Sequence, residues 1–336
     1  GCTKLKNITL PSSLTTISKE AFCNCTELES IIIPDSVISI DEAAFKGCTK
    51  LKNIILPSLL TAIGSEAFSN CISLESINIP DGVISIRGRA FENCTSLKSI
   101  KIPDSVKNID SYAFDGCKKL KDITIPNSVT LIDMCVFENC ESLERIKLPE
   151  RITEICYGAF EGCRSLKNIT IPDAVKSIGD YAFSECKSLK SITLPDSLYY
   201  IGAHTFNNCE SLEHIKLPDS IDNIYNNTFA GCSSLEYITI PDAVKSIGSY
   251  AFSKCKSLEN LEIPYGVTDI GFMAFYNCKN LKNITIPTSL NYINSYAFSQ
   301  CESLETVTII SDCTSKIIDV RELDLDTMDQ WIFLYF

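Results

Sequence analysis

The spacing of hydrophobic positions changes within a short segment that recurs along the whole chain. Residues 189–194 alternate in polarity, are rich in Ile and Thr, and lead to Pro195, a pattern that predicts a brief strand ended by the proline. Residues 198–201 follow a turn and predict a second extended piece. Residues 206–212 then place Phe, Cys and Leu at steps of three, which favours a tight 3₁₀-like turn.

This segment repeats with a period of 23 residues. All thirteen prolines follow that step, from Pro11 to Pro287, as do fourteen cysteines, from Cys2 to Cys301. A unit this short cannot bury its own apolar edge, so each copy must pack against the copies before and after it. We therefore predict a repeat solenoid of about 14 units.

The unbroken period leaves no linker at which the chain divides, so we predict that residues 1–310 form one array. Residues 311–336 depart from the repeat and contain the single tryptophan, Trp331. Because an open solenoid end exposes core, we expect these residues to form a C-terminal cap or the start of a further domain. Gly1-Cys2 matches the middle of a repeat, so we expect the sequence to begin within one.

The pattern L-x-x-I-x-I-P-x-x-V-x-x-I-G-x-x-A-F-x-x-C resembles the repeat of BspA-like, or Treponema pallidum-type, leucine-rich repeat proteins, over residues 1 to about 310. The resemblance implies a right-handed coil with a parallel β-sheet on its concave side and short strands or 3₁₀ turns on its convex side. It also implies a cell-surface or secreted protein of bacteria or parasitic protists. Such proteins adhere to host proteins, surfaces or other cells.

Composition and charge restrict the partners. Hydrophobic residues make up 45% of the chain and charged residues 21%, which suits an ordered chain in water. No apolar run approaches the roughly 20 residues of a membrane helix, so we expect no direct membrane insertion. A net charge of −12 argues against a nucleic-acid partner, because nucleic acids are bound by clustered Lys and Arg.

Motifs for catalysis are absent from the sequence. Its two histidines, His204 and His214, fall in different parts of adjoining coils, and no H-E-x-x-H, G-x-S-x-G, G-x-G-x-x-G or Walker A pattern occurs. Carboxylates recur as ladders rather than as one acid and one base in a pocket. We therefore expect no enzymatic activity and no cofactor in this chain.

A mostly acidic column follows the prolines. Five consecutive units carry a carboxylate there: Glu150, Asp173, Asp196, Asp219 and Asp242. An Asp in a turn commonly bonds to its own backbone, which is the interpretation we favour, and a row of calcium sites is the alternative. Our prediction for a metal site is therefore none.

The cysteines of the repeat share one column, which predicts that they point inward as small apolar residues. In-register neighbours would have parallel side chains, a poor geometry for bridging. Four cysteines lie off the column: Cys23, Cys135, Cys156 and Cys313. Cys135 and Cys156 fall in neighbouring units, so a disulfide between them is one alternative and two free thiols the other.

The predicted strand has two outward columns of mostly small polar residues, and departures from them are candidates for binding. One column has a charge beside it in every unit, which favours an exposed ion-pair ladder of small energetic value. The departures that we single out are Arg145, Lys147, His214, Lys216, Tyr237 and Glu262, together with Tyr265 one column further on. Tyr and Arg are frequent interface anchors, whereas neutral drift at exposed positions is the alternative.

Our first functional hypothesis is a non-enzymatic module that binds a protein or glycan ligand on the concave sheet. The family resemblance places it outside the cell or at its surface. The alternative is a structural scaffold or spacer with no ligand on the solenoid. An enzyme would require a catalytic domain outside residues 1–336.

Overall fold

A computed structural model describes residues 1–294, 296–310 and 315–319. The chain forms a parallel-strand β-solenoid of about 13 turns, as the period predicts. It divides into two compact units, Gly1–Ala174 and Val175–Phe336. The described residues contain no helix, and thus none that spans a membrane. Cys313, Trp331 and most of the predicted cap lie outside the described residues.

The first unit contains two classes of strand, and each repeat contributes at most one of each class. The three-residue strands are β3 (Asn53–Ile55), β5 (Ser76–Asn78), β7 (Ser99–Lys101), β9 (Asp122–Thr124), β10 (Arg145–Lys147) and β12 (Asn168–Thr170). The two-residue strands are β1 (Thr16–Ile17), β2 (Ser39–Ile40), β4 (Ala62–Ile63), β6 (Ser85–Ile86), β8 (Asn108–Ile109) and β11 (Glu154–Ile155). Strands of one class pair in parallel and in register, as Ile54 does with Ile77.

The second unit continues both classes. Its longer strands are β14 (Ser191–Thr193), β16 (His214–Lys216), β18 (Tyr237–Thr239), β20 (Asn260–Glu262), β22 (Asn283–Pro287), β24 (Thr306–Ile310) and β25 (Ser315–Asp319). Its two-residue strands are β13 (Ser177–Ile178), β15 (Tyr200–Ile201), β17 (Asn223–Ile224), β19 (Ser246–Ile247), β21 (Asp269–Ile270) and β23 (Tyr292–Ile293). The pairings are parallel except for that of β24 with β25, which is antiparallel.

Proline ends most of the longer strands, but β22 is an exception to the sequence prediction. It runs through Pro287, which pairs with Ile310 of β24. Proline lacks the N–H of a ladder bond, and the next residue, Thr288, instead donates its N–H to the carbonyl of Ile310 at 2.9 Å. The strand therefore continues where an ordinary unit would turn.

The core of each unit is built around a column of phenylalanines, twelve of which are fully buried. Consecutive rings of the first unit stack at centroid distances of 5.3 to 5.7 Å, and those of the second unit at 5.1 to 5.9 Å. These distances are close to the roughly 4.8 Å between paired strands, so each ring covers the next as the coil advances. Large apolar side chains thus fill every coil at the same place.

The column cysteines are buried from Cys25 to Cys301, which confirms the inward orientation. They also have a role that the sequence pattern does not reveal. In coil after coil the Sγ atom donates a hydrogen bond to the carbonyl of a phenylalanine 26 residues earlier, as Cys71 does to Phe45 at 3.2 Å. Burial raises the pKa of Cys94 to about 12, so the thiol keeps the proton that it donates.

The steps of three predicted from the sequence form separate tight turns rather than a continuous 3₁₀ helix. Within one coil, the N–H of Ala67 bonds to the carbonyl of Gly64 at 3.2 Å, and that of Cys71 to Phe68 at 3.1 Å. Between these turns the N–H groups bond to the next coil, as Phe68 does to Ala90 at 2.8 Å. This ladder between coils satisfies the donors that a helix would have used.

Two residues of every such turn region adopt left-handed backbone conformations. They lie two positions before and two positions after each column phenylalanine, and 21 of them are not glycine. The later position is mostly Asn or Gly, which tolerate this region, but it also holds Glu185, Lys254 and Gln300. The regular hydrogen bonds between coils hold these residues in a conformation that their side chains disfavour.

Candidate functional site

The three-residue strands expose their first and third side chains and bury the second, with Ile146 of β10 only half-buried. In each unit, we call the surface formed by these outward side chains the strand face. It consists of the two columns that the alternating pattern predicts. The longer strands form three sheets, β3 to β10, β12 to β18 and β20 to β25, and within each sheet the ladder of hydrogen bonds fixes a strand to its neighbours.

Three of the candidate residues come together on the strand face of the second unit. His214 of β16 pairs in register with Tyr237 of β18, and their rings stack at 4.5 Å with an angle of 28° between the planes. Lys216 lies two residues beyond His214 and is exposed. Tyr237 is 59% exposed, so this stack offers an aromatic surface of about two rings to a partner.

Glu262 and Tyr265 belong to the same unit and line one groove. Thr239 connects this groove to the stack, because it lines the groove and pairs in register with Lys216. The structure therefore brings five of the seven candidates onto adjoining positions of one surface. These five are His214, Lys216, Tyr237, Glu262 and Tyr265.

Arg145 and Lys147 lie on β10 of the first unit. The Nε atom of Arg145 is 3.1 Å from Oδ1 of Asp122 on β9, a salt bridge between in-register residues. Arg145 is nevertheless 83% exposed, so the pair is of the solvated kind that contributes little to stability. The sequence predicted the exposure of Arg145 but not its partner.

The charged column beside the strand face forms the ion pairs that its alternating signs predict. Lys98 and Glu75 approach to 2.6 Å in the first unit, and Lys282 and Glu259 to 3.2 Å in the second. All four side chains are about half exposed, so solvent weakens these attractions.

Beside the acidic column after the prolines, serine side chains bond to the backbone of the preceding coil. Ser197 donates its hydroxyl to the carbonyl of Val175 at 2.8 Å, and Ser289 to that of Val267 at 2.9 Å. Among the described residues no group of three or more His, Cys, Asp or Glu is arranged to hold a metal ion.

The off-column cysteines Cys23, Cys135 and Cys156 are free thiols. The thiol of Cys135 lies 3.7 Å from the carbonyl of Tyr157. Burial and the neighbouring Glu138 raise the pKa of Cys135 to about 12, and burial raises that of Cys156 to about 11. Neither thiol is activated as a nucleophile, since a reactive cysteine needs a lowered pKa.

The two histidines lie in different settings. His204 occupies a left-handed turn position and stacks on Tyr181 at 4.3 Å, whereas His214 lies on the strand face. Burial lowers the pKa of His204, so its imidazole is mainly neutral near pH 7. The Nε2 atom of His204 lies 3.4 Å from Nδ2 of Asn227.

The sequence analysis missed two exposed isoleucines in the first unit. Ile32 and Ile55 are 79% and 78% exposed and pair with each other on the strand face, where threonine is the commonest residue. The signal was present in the sequence as I-I-I-P and I-I-L-P in place of the usual I-T-I-P. The pair leaves apolar surface exposed on the strand face.

The repeat, its parallel strands and its stacked core define a leucine-rich repeat solenoid. The family described as BspA type leucine rich repeat region (6 copies) matches residues 1–95, 61–176, 107–236, 153–262 and 222–319. The chain belongs to this family. A repeat fold of this kind is typical of interaction scaffolds that bind proteins or other macromolecules.

Solved structures of bacterial leucine-rich repeat proteins are similar. A leucine-rich repeat protein from Bacteroides ovatus is 32% identical, with a TM-score of 0.76 over 90% of this chain and 86% of that one. A leucine rich cell surface protein from Faecalibacterium prausnitzii is 29% identical, with a TM-score of 0.56 over 92% and 88%. The pneumococcal vaccine antigen PcpA shares the fold at 20% identity, with a TM-score of 0.57 over 91% and 83%. No curated protein matches the chain.

Proposed function

We propose that this chain is a non-enzymatic interaction module of a cell-surface or secreted protein, and that it binds a macromolecule on its strand face. The observation that carries the proposal is the exposed stack of His214 on Tyr237 beside Lys216. Aromatic rings held on rigid strands lose little side-chain entropy on binding and bury a large area.

The location outside the cell rests on similarity. The Faecalibacterium protein, 29% identical to this chain, is described as a cell surface protein. The proposed role is adhesion to, or recognition of, a protein or glycan of a host or of another cell. The net charge of −12 supports a partner that is not a nucleic acid.

The test is binding of the purified folded protein to a panel of extracellular-matrix proteins, plasma proteins and glycans, at low and high salt. We expect saturable binding to one class, weakened when Arg145, His214 and Tyr237 are each replaced by alanine. Ser99→Ala is the matched control, because Ser99 occupies the same column and is exposed. No binding across the panel by folded protein would instead favour the scaffold or spacer.

A further inference from the structure

The groove that contains Glu262 and Tyr265 lies in the second unit, where β18, β20, β22 and β24 reach their ends. It encloses about 480 Å³, a volume within the range of small-molecule and side-chain binding pockets. Its lining consists of Ile238, Thr239, Ile240, Asp242, Glu262, Ile263, Pro264, Tyr265, Thr285, Pro287 and Ile310.

The groove has an apolar base and a polar rim. Ile263 and Pro264 are buried beneath it, whereas Asp242, Glu262 and Tyr265 are exposed around it. Tyr265 is 54% exposed, so much of its ring is free to contact a ligand. The combination suits a ligand group that has an apolar stem and a charged end.

Departures from the repeat pattern coincide in this groove. Glu262 stands in the column where threonine or lysine is usual, and Tyr265 stands in the otherwise mostly acidic column after the prolines. Ile310 occupies the place, 23 residues after Pro287, where another proline would continue the series. Three separate columns of the repeat therefore hold an unusual residue at positions that line one groove.

The first unit has a groove at the same place in the repeat, and it differs in charge. That groove encloses about 350 Å³ and is lined by Asp81, Lys101, Ile102, Pro103, Asp104 and Ser105. Lys101 stands where Glu262 is found in the second unit, and Asp104 stands where Tyr265 is found. The exchange replaces a lysine by a carboxylate and adds an aromatic wall.

The carboxylates of Asp242 and Glu262 have no ion-pair partner among the described residues. One lysine, Lys245, lies close to Gly266: its Nζ atom would be 3.4 Å from a Cβ atom added to that glycine. Lys245 does not line the groove. A cation entering the groove would therefore meet two carboxylates and no lining lysine or arginine.

We propose that this groove binds an arginine side chain of a protein partner, with the guanidinium between the carboxylates of Asp242 and Glu262 and flanked by the ring of Tyr265. Arginine fits better than lysine, because its planar group forms paired bonds with carboxylates and also packs on aromatic faces. The threonine hydroxyls of the rim accept the remaining guanidinium hydrogens. This inference rests on the proposed interaction function and adds the chemistry of the partner.

The test uses two fluorescent pentapeptides of glycine and serine, one with a central arginine and one with a central citrulline. Citrulline has nearly the same shape but no charge, so the comparison isolates the guanidinium. Fluorescence anisotropy then measures the dissociation constant of each peptide for the purified chain. We expect the arginine peptide to bind at least about fivefold more tightly, with the difference reduced by salt.

Variants locate the site. Asp242→Asn with Glu262→Gln is expected to abolish the preference for arginine, and Tyr265→Ala to reduce it. Asp219→Asn is the matched control, because Asp219 is exposed, occupies the column of Asp242 and lies outside the groove. All the altered residues are on the surface, so circular dichroism is expected to show the same fold.

The proposal would be overturned if the two peptides bound equally or if neither bound detectably. It would also be overturned if Asp219→Asn lost the preference for arginine as fully as the groove variants do. The panel experiment separates this failure from that of the proposed function. If the groove variants keep full binding to a macromolecular partner, the module binds through another part of the strand face and the groove has no role.

Discussion

The thiol of Cys94 donates a hydrogen bond to the carbonyl oxygen of Phe68, with 3.2 Å between the sulfur and the oxygen. The same carbonyl accepts the N–H of Cys71 at 3.1 Å, which closes a turn within its own coil. One oxygen thus joins a turn to the following coil. The cysteine column therefore both fills space and links neighbouring repeats.

Replacing Cys94 by alanine should lower the free energy of unfolding by about 1 to 2 kcal/mol, because it removes a buried hydrogen bond and leaves a small cavity. Urea unfolding followed by circular dichroism measures the change. Cys2→Ala is the control, since Cys2 belongs to the same column but is exposed. Unchanged stability in Cys94→Ala would show that the column contributes neither packing nor bonding.

The same burial predicts instability in alkaline solution. The pKa of Cys94 rises from an ordinary value near 9.0 to about 12 in the folded protein. Above pH 9 the unfolded chain loses this proton while the folded chain keeps it, so the stabilisation present below pH 9 is lost as the pH rises toward 12. Each such thiol lowers the free energy of unfolding by about 1.4 kcal/mol per pH unit in this range.

Urea midpoints between pH 8 and pH 11 test this slope against the pKa of about 12 for Cys94. The Cys94→Ala variant should lose stability less steeply than the wild type over that range, although it begins less stable. Parallel slopes for the two proteins would mean that the thiol titrates equally in the folded and unfolded states.

The left-handed turn positions give a pair of opposite predictions within one column. Lys254 has φ of 63°, and Lys254→Asn should raise the free energy of unfolding by about 0.5 to 1 kcal/mol, because asparagine tolerates this conformation better. Gly116 has φ of 69°, and Gly116→Ala should lower it by about 1 to 2 kcal/mol. The added Cβ would also collide with Oδ1 of Asn93.

Thermal unfolding of both variants and of the wild type measures the two changes in stability. A higher thermal midpoint for Lys254→Asn and a lower one for Gly116→Ala would support the argument from left-handed backbone conformation. A loss of stability in Lys254→Asn would show that contacts of the lysine stem outweigh its backbone strain.

The exposed ion pairs should matter little. Lys98→Gln removes the partner of Glu75, and we expect a much smaller shift of the thermal midpoint than for Cys94→Ala, because both side chains are more than half exposed. The midpoint of the wild type should also change little between low and high salt at pH 7. A large shift in either experiment would assign the ladder a structural role that its exposure argues against.

The core could be predicted from the sequence because it depends only on the 23-residue period. A fixed step places Phe68 under Phe91 whatever the details of the turns, and residues at the same step on strands must lie in register. The neighbours His214 and Tyr237 follow from the same rule, since they are 23 residues apart.

Other features depend on three-dimensional geometry that a repeat pattern does not encode. The left-handed conformation of Lys254 is imposed by bonds between coils, and no property of lysine signals it. The bond from Cys94 to Phe68 joins residues 26 apart, not one period apart. Glu262 and Tyr265 were identified as departures, but only the path of the chain after β20 shows that they line one groove.

The measurement that tests the central claim most directly is the affinity of the His214→Ala, Tyr237→Ala double variant for whichever macromolecule the wild type binds in the panel. We predict at least about a tenfold loss, as expected when a stacked aromatic anchor is removed, with Ser99→Ala unchanged. A double variant that is folded and binds as tightly as the wild type would contradict the assignment of the strand face of the second unit as the binding surface.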